Sequence, residues 1–359
     1  MKVNGKSTQT IWLSEDKQNV QIIDQTKLPF EFKVVTLNCF EDAFKAIKNM
    51  LVRGAPLIGV TGAYGVFLAA KENKELKFIE DACDYLNSAR PTAVNLSWAL
   101  NRMLQKAFDS KSNNIIENLC NEANKILEED INFCENIGKY GCEIIKDIYN
   151  KKKRPINILT HCNAGWLATV DWGTATSPIY KAFNDKIPIH VWVDETRPRN
   201  QGSFLTSWEL GEHGVSHTVI ADNTGGHLMQ NGQVDIVIVG SDRTTFTGDV
   251  CNKIGTYLKA LAAYDNSIPF YVALPSSTID WKIDNYQDIP IEERNNNELS
   301  YINGLDEAGN LKNILIYPRE SKSLNLAFDV TPSKYISGLI TEKGVCKANK
   351  NEIISLLKN

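Results

Sequence analysis

The chain has 359 residues, of which 43% are hydrophobic and 23% charged, so it is long enough to bury a large core and to form two domains. Its formal net charge of -4 excludes the broadly basic surface on which non-specific nucleic-acid binding depends. Eight cysteines occur without a C-x-x-C pair, a pattern typical of reduced cytosolic thiols. The N-terminus has no apolar signal segment, and no run reaches the roughly eighteen apolar residues of a membrane span. We therefore expect a cytoplasmic protein that binds neither nucleic acid nor membranes.

Residues 1–150 predict a small, mainly helical N-terminal domain. Two strand-like pieces, 10–13 and 20–23, come first, and apolar residues then recur at helical spacing. One such stripe consists of Ile116, Leu119, Ala123, Ile126 and Leu127. The basic run 151–154 marks the change of pattern, and we interpret it as a solvated linker or helix end.

Residues 151–359 predict a Rossmann-like, doubly wound α/β domain with a parallel sheet. Short β-branched runs alternate with helical stretches, and the runs are INILTHC, IPIHVWV, SHTVIA, VDIVIVG, PFYVALP and NILIYP. Ligands of such sheets bind beyond the carboxyl ends of the strands, so those ends are the place to look for a site. The first strand is not followed by G-x-G-x-x-G, so the sequence gives no reason to expect a dinucleotide cofactor.

Two residues that could carry chemistry follow predicted strands. Cys162 ends the first strand, where oriented backbone N–H groups would lower the pKa of its thiol; the alternative is a small buried apolar residue. Asp242 follows Gly240 and Ser241 at the carboxyl end of the apolar strand in VDIVIVGSDR, where a partly desolvated carboxyl could act as a general acid or base. The alternative for Asp242 is a helix cap or an ion pair with Arg243. His161 has no ligand partners at metal-binding spacing, so we interpret it as structural and expect no metal.

Two other segments could bind an anion. Asn252 and Lys253 precede a helix-like stretch, and a helix N-terminus favours anionic groups. The Arg53-Gly54-Ala55 segment interrupts a helical stretch, where glycine lets the backbone approach a ligand and arginine can bind phosphate through paired donors. Taken alone, either segment also fits ordinary turn chemistry.

The order of the motifs carries more information than any one of them. The motifs are RGAP, RPTAVNLSWAL, THCNAG, ETRP followed by QG, GSDR, GDVCNKIGTY, IPFYVALPSSTID, PIEER and TPxxxIxxxITEKG. This set, from about residue 11 to residue 345, resembles the methylthioribose-1-phosphate isomerases. Their wider fold family includes ribose-1,5-bisphosphate isomerases and regulatory subunits of a eukaryotic translation initiation exchange factor, so a shared fold does not fix one function.

The resemblance implies a catalytic pair, with Asp242 as the proton donor and Cys162 assisting at the transition state. It implies substrate contacts by Arg53, Gly54, Ala55, Arg90, Gln201, Asn252 and Lys253. It also implies a homodimer formed mainly through the C-terminal domain, and an activity in methionine salvage that needs neither a cofactor nor a metal.

The implied reaction converts an aldose 1-phosphate to a ketose. Because the C1 phosphate blocks easy ring opening, the enzyme must protonate the ring oxygen or otherwise open the glycosyl phosphate, and Asp242 suits the protonation. Hydrogen then moves from C2 to C1, either as a proton through an enediolate with Cys162 as base or as a hydride. The sequence leaves both routes open.

Several residues depart from the pattern that we expect in relatives. Trp166 and Trp172 stand where we expect smaller side chains, and Arg199-Asn200 and Thr244-Thr245-Phe246 are further departures. They could reshape the pocket for the C5 substituent, so that 5-deoxyribose 1-phosphate or another pentose 1-phosphate is the substrate. Ordinary core repacking is the alternative. A further alternative, from another class, is a non-catalytic regulatory subunit on the same fold.

Overall fold

The N-terminal region is mainly helical and opens with short antiparallel strands. The computed structural model describes residues 1–90, 93–110 and 114–358, so Pro91 and Thr92 of the RPTAVNLSWAL motif lie outside the described residues. The strands are β1 (Lys2–Val3), β2 (Lys6–Ser7), β3 (Ile11–Leu13), β4 (Val20–Ile23) and β5 (Val34–Leu37). The helices are α1 (Phe40–Lys48), α2 (Ala55–Glu72), α3 (Leu76–Asn87), α4 (Val94–Phe108) and α5 (Ile115–Lys152). Both predicted strand pieces are confirmed as β3 and β4.

Helix α2 is the centre of this helical region. Every residue from Ala55 to Ala70 is buried, and the helix packs against α1, α3, α4 and α5. A helix that is apolar on all sides is stable only when it is surrounded, which explains this central position. Its N-terminus is thereby fixed at the border with the C-terminal domain.

The C-terminal domain contains the remaining strands and helices. The strands are β6 (Ile156–Thr160), β7 (Ile189–Asp194), β8 (His217–Ile220), β9 (Ile236–Val239), β10 (Arg243–Thr245), β11 (Val250–Lys253), β12 (Phe270–Ala273), β13 (Ile279–Asp280), β14 (Tyr301–Leu305), β15 (Leu311–Leu315), β16 (Phe328–Thr331), β17 (Gly338–Thr341) and β18 (Gly344–Cys346). The helices are α6 (Ser177–Asn184), α7 (Ser207–His213), α8 (Thr224–Gln230), α9 (Thr256–Asp265), α10 (Asn297–Ser300) and α11 (Lys350–Leu357).

The main sheet confirms the predicted doubly wound fold. Its strand order is β8-β7-β6-β9-β12-β17, with parallel pairing throughout, and β18 adds an antiparallel edge. Counted along the chain, the parallel strands follow the order 3-2-1-4-5-6 of dinucleotide-binding folds. A second sheet has the strand order β13-β10-β11-β16, and the chain enters it at β10, the next strand after β9.

One predicted strand is not part of the parallel sheet. The first half of the NILIYP run falls in β15, which pairs antiparallel with β14 in a separate two-stranded hairpin. Only residues 306–310 join these strands, and a parallel crossover needs about a dozen residues, so the connection permits only a hairpin. The sixth parallel strand is β17 instead.

The cores of the two regions meet on α5. Ile137, Cys142 and Ile145 of this helix pack in the same apolar cluster as strands β6 and β7, and Ile23 joins them there. The division of the chain between residues 150 and 151 therefore stays a prediction. Among the described helices, none combines the length and the apolarity that a bilayer crossing requires.

Candidate active site

The site lies where the strand order of the main sheet reverses. Strands β6 and β9 are neighbours, but the chain continues from β6 toward β8 and from β9 toward β17. Cys162 follows β6 and Asp242 follows β9, so both lie at the carboxyl ends of the two strands that flank this switch point. In open α/β sheets this position forms a crevice that binds ligands.

Cys162 is held in a left-handed backbone conformation with φ of 68°. Its N–H donates to Thr196 Oγ1 at 2.8 Å, and its carbonyl oxygen accepts from Thr206 Oγ1 at 2.7 Å. Its Sγ donates to Gln201 Oε1 at 3.3 Å. A positive φ costs a non-glycine residue free energy, and these bonds hold the residue in place.

The thiol of Cys162 is not acidified, contrary to the expectation from its strand-end position. Burial raises the pKa of the Cys162 thiol, and the nearby charges of Arg53 and Lys253 oppose this rise only in part. The expected lowering by backbone N–H groups is therefore wrong, because the loss of hydration of a thiolate outweighs the local positive charge. The resting form is the protonated thiol.

Asp242 lies between β9 and β10 and is partly exposed. Its backbone N–H donates to the carbonyl of Cys251 at 3.0 Å, which attaches the loop to β11. Arg243 Nη1 lies 3.6 Å from Asp280 Oδ2. Because a strand rather than a helix follows Asp242, the helix-cap alternative is wrong.

A cavity brings the predicted site residues together. Of the predicted residues it is lined by Cys162, Asp242, Arg53, Gly54, Ala55, Arg90, Gln201, Asn252 and Lys253. Every predicted site residue therefore borders one cavity between the two regions of the chain.

Three of the predicted residues that line this cavity have cationic side chains. Arg53 and Lys253 are 6% exposed, and burial lowers the pKa of each. Arg90 Nη2 lies 3.5 Å from Glu292 Oε2, while its buried Nε has no hydrogen-bond partner among the described residues. Buried cations with unused donors favour an anionic ligand such as a phosphate.

The N-terminus of α2 also faces the cavity. Gly54 precedes it with φ of 97°, and no side chain caps the helix. A Cβ added at Gly54 would lie 2.5 Å from the Cβ of Ala168, so only glycine permits this approach. The uncapped N–H groups and the helix dipole add to the positive potential of the cavity.

Asn252 and Lys253 reach the cavity by a different route from the one predicted. They are the last residues of β11, and α9 begins only at Thr256. Lys253 Nζ donates to the carbonyl of Ala327 at 3.0 Å and lies over the ring of Phe328. The side chains are therefore positioned by a strand end and not by a helix N-terminus.

Several polar residues that were not predicted from the sequence also line the cavity, among them Asn163 and Arg294. Asn163 lies in the motif THCNAG and Arg294 in the motif PIEER, so these motifs indicate both residues. Asn163 Oδ1 accepts from Arg53 Nη1, and the Asn163 carbonyl accepts from Arg53 Nη2 at 2.5 Å. Arg294 Nε donates to Glu298 Oε2 at 3.0 Å.

The residues that depart from the expected pattern do not line this cavity. Trp166 is fully buried and packs against Trp208, and Phe246 packs in the apolar cluster around β9 and β12. Trp172 packs on Lys181. These positions support core repacking and give no support to a reshaped substrate pocket.

His161 takes part in a buried polar cluster behind Cys162. Its Nδ1 lies 2.8 Å from Asp194 Oδ2, and its Nε2 lies 2.8 Å from the carbonyl of Ile254. Lys259 Nζ lies 3.3 Å from the same Asp194 oxygen. Together with Asp222, His161 and Asp194 could offer ligand atoms to a cation, but both nitrogens of His161 already have partners. The structural interpretation fits these contacts.

Comparison with known proteins places this geometry in a family. Residues 51–348 match the model described as the initiation factor 2 subunit family. A methylthioribose-1-phosphate isomerase of Escherichia coli is 55% identical, and the alignment covers 99% of this chain and 96% of that protein.

Two solved structures share the fold and 39% sequence identity. One is 5-methylthioribose 1-phosphate isomerase from Pyrococcus horikoshii OT3, with a TM-score of 0.84, 98% of this chain covered and 96% of that chain. The other is described as translation initiation factor eIF-2B, subunit delta, from A. fulgidus, with a TM-score of 0.81, 98% of this chain covered and 100% of that chain. Structural likeness alone thus does not separate an isomerase from a factor subunit.

Proposed function

The chain belongs to the initiation factor 2 subunit family, and on that premise we propose that it isomerises 5-methylthioribose 1-phosphate to 5-methylthioribulose 1-phosphate. This is an aldose-ketose isomerisation in methionine salvage. Methylthioribose-1-phosphate isomerases match the chain at 53–56% identity over nearly its full length. That similarity, much closer than the one shared with the factor subunit, supports the enzyme over the regulatory alternative.

The observation that carries the proposal is a single cavity that combines a partly exposed carboxyl, a buried thiol and buried cations. We assign the substrate phosphate to the N-terminus of α2 with Arg53 and Arg90, because oriented N–H groups and guanidinium donors bind phosphate oxygens. Gln201, Asn252 and Lys253 are assigned to the sugar hydroxyls. Gly54 and Ala55 supply backbone contacts.

The first step that we propose is ring opening. Asp242, in its protonated form, gives its proton to the ring oxygen, and the bond between that oxygen and C1 breaks. Positive charge then develops at C1, which still carries the phosphate. The carboxylate left on Asp242 stabilises this charge in a cavity from which most water is excluded.

The second step moves hydrogen from C2 to C1. In the hydride route, the C2 hydrogen moves with its electron pair to C1, while the C2 hydroxyl gives a proton to the Asp242 carboxylate and becomes the ketone. In the enediolate route, a Cys162 thiolate removes the C2 proton and the resulting thiol returns it to C1, while the C2 hydroxyl gives its proton to the Asp242 carboxylate and becomes the ketone. Because burial raises the pKa of the Cys162 thiol, we favour the hydride route, with Cys162 as a protonated group packed against the reacting carbons.

The test is to incubate the purified protein with 5-methylthioribose 1-phosphate and, separately, with 5-deoxyribose 1-phosphate, without added nucleotide, and to follow ketose formation by NMR. We expect faster turnover of the methylthio sugar. Faster turnover of the deoxy sugar would replace the substrate but keep the reaction. No turnover of either sugar would favour the regulatory-subunit alternative.

We also propose that the protein acts in the cytoplasm as a homodimer formed through its C-terminal domain. The β14–β15 hairpin exposes several large apolar side chains, among them Leu305, Leu311 and Ile314, each about half exposed. Exposed apolar clusters of this kind are typical of protein interfaces.

We further propose that the two regions close over the sugar, bringing Arg53 and Arg90 onto the site in the C-terminal domain and excluding water.

A further inference from the structure

A buried carboxyl outside the cavity is connected to Arg53 through Asn163. Glu209 lies on α7 and is fully buried. Its Oε2 accepts from Asn163 Nδ2 at 3.2 Å and from the backbone N–H of Leu167 at 3.3 Å. Its Oε1 accepts from the hydroxyl of Tyr180 at 3.1 Å. All three partners donate, as an ionised carboxylate requires.

The surrounding backbone leaves room for this carboxyl. A Cβ added at Gly165 would lie 1.4 Å from Glu209 Oε1, so the glycine of the THCNAG motif is what allows Glu209 to reach Asn163. The amide of Asn163 is then fixed in orientation, with its nitrogen donating to Glu209 Oε2 and to Thr206 Oγ1 at 3.1 Å and its oxygen toward Arg53. Two of the five guanidinium N–H donors of Arg53 bind Asn163, and Arg53 also lines the cavity.

We propose that Glu209 is a positioning residue whose carboxylate, acting through Asn163, orients the guanidinium of Arg53 for binding of the substrate phosphate. Glu209 does not itself line the cavity, so it acts through Asn163 and through its charge. Arg53 is a buried cation, and Glu209 is one of the anionic groups that offset its charge. Naming the ligand as a sugar phosphate rests on the proposed function, whereas the connection between Glu209 and Arg53 does not.

The arrangement makes phosphate affinity sensitive to pH. Burial raises the pKa of Glu209 to about 7, while Asn163, Leu167, Tyr180 and the charge of Arg53 lower it. Below that pH the carboxyl is protonated and loses both its charge and an acceptor position. The orientation of Asn163, and with it that of Arg53, is then less well fixed, so affinity should fall as the pH drops through about 7.

The deciding variant is Glu209→Gln, which keeps the shape of the side chain and removes its charge. We would measure kcat and KM for 5-methylthioribose 1-phosphate, and the Kd of inorganic phosphate by calorimetry, between pH 6 and 9. The ratio of variant to wild type cancels the ionisation of the ligand. At pH 8.5 we expect KM and Kd to rise roughly tenfold with kcat little changed, and we expect the ratio to approach one near pH 6.

Two further variants serve as controls. Asp130→Asn removes another buried carboxyl, whose pKa burial raises to about 7 and which accepts from the Val170 N–H at 2.7 Å, and it should leave the pH profile of KM unchanged. Tyr180→Phe removes one donor to Glu209 and should move the fall in affinity to higher pH. Melting temperatures establish that each variant is folded.

The outcomes separate the inference from the proposed function. A wild type that binds phosphate without turning over the sugar refutes the function, and the phosphate arm then decides the role of Glu209. A Glu209→Gln variant that is folded and keeps the wild-type KM and Kd at every pH would overturn the positioning role. A wild type with neither turnover nor phosphate binding would overturn both proposals.

Discussion

At the scale of single residues, the route of hydrogen transfer depends on the protonation state of Cys162. The thiol is buried beside two cations, yet the cost of removing a thiolate from water outweighs their attraction, so its pKa is raised. The thiolate that would have to remove a proton from carbon is therefore scarcely populated. The uncharged thiol can instead pack against C1 and C2 while a hydride moves between them.

A protonated Cys162 predicts where the hydrogen that arrives at C1 comes from. When the reaction is run in D₂O, we expect the hydrogen that arrives at C1 to come from C2, with no deuterium taken up from solvent. NMR of the product at C1 makes the measurement, and product left with enzyme in D₂O controls for later exchange. One deuterium per turnover at C1 would contradict the hydride route.

The site residues easiest to predict from the sequence are polar ones in an apolar setting, where no structural role explains them. Asp242 could be predicted because a carboxylate lies three residues beyond the end of the apolar strand Ile236–Val239. Glu209 could not be found in that way, because its partner Asn163 lies 46 residues away and only the packing of α7 brings them together. The direction of the Cys162 pKa shift was missed because it depends on burial, which local sequence does not reveal.

At the scale of elements, the approach of α2 to the loop containing Ala168 defines one wall of the cavity. Gly54 permits that approach in two ways, through its positive φ and through its missing Cβ. The predicted approach of this backbone to a ligand stays a prediction, because the approach seen here is to Ala168. The assignment of NILIYP to the parallel sheet was wrong, because β propensity does not distinguish a hairpin from a crossover.

Gly54→Ala tests this wall directly. The added methyl meets Ala168 at 2.5 Å, so α2 must shift, and we expect KM to rise roughly tenfold or more with a lowered melting temperature. Gly232→Ala is the matched control, because Gly232 also has a positive φ, 66°, but nothing lies within 4 Å of the added Cβ. An equal rise in KM for both variants would refute the role of close approach.

At the scale of the whole molecule, one cavity joins a helical region to an α/β domain, and buried carboxyls lie near the junction. Asp130 on α5 accepts from the Val170 N–H and thus connects the long helix to the loop beside β6. Burial raises the pKa of Asp130 from 3.8 to about 7. The folded chain therefore binds a proton that the unfolded chain has released between these two pH values.

The sign of the stability change follows from this linkage. Asp130 makes the free energy of unfolding fall as the pH rises from about 4 to about 7, and above that range the whole penalty is present. Asp130→Asn should therefore stabilise the protein at pH 8, by at most about 4 kcal/mol, and much less at pH 4. Urea unfolding at both pH values measures this, with the exposed Asp265 as control in Asp265→Asn. A destabilised Asp130→Asn variant at pH 8 would contradict the assignment.

The central claim is that Asp242 and Cys162, facing one cavity across the switch point of the sheet, form the catalytic pair. The most direct test is the turnover number of Asp242→Asn on 5-methylthioribose 1-phosphate, measured beside Cys162→Ala and the wild type. Loss of the proton donor should lower kcat by roughly a thousandfold while KM stays within about threefold, because the phosphate contacts remain. A folded Asp242→Asn variant that retains most of the wild-type kcat would contradict the account.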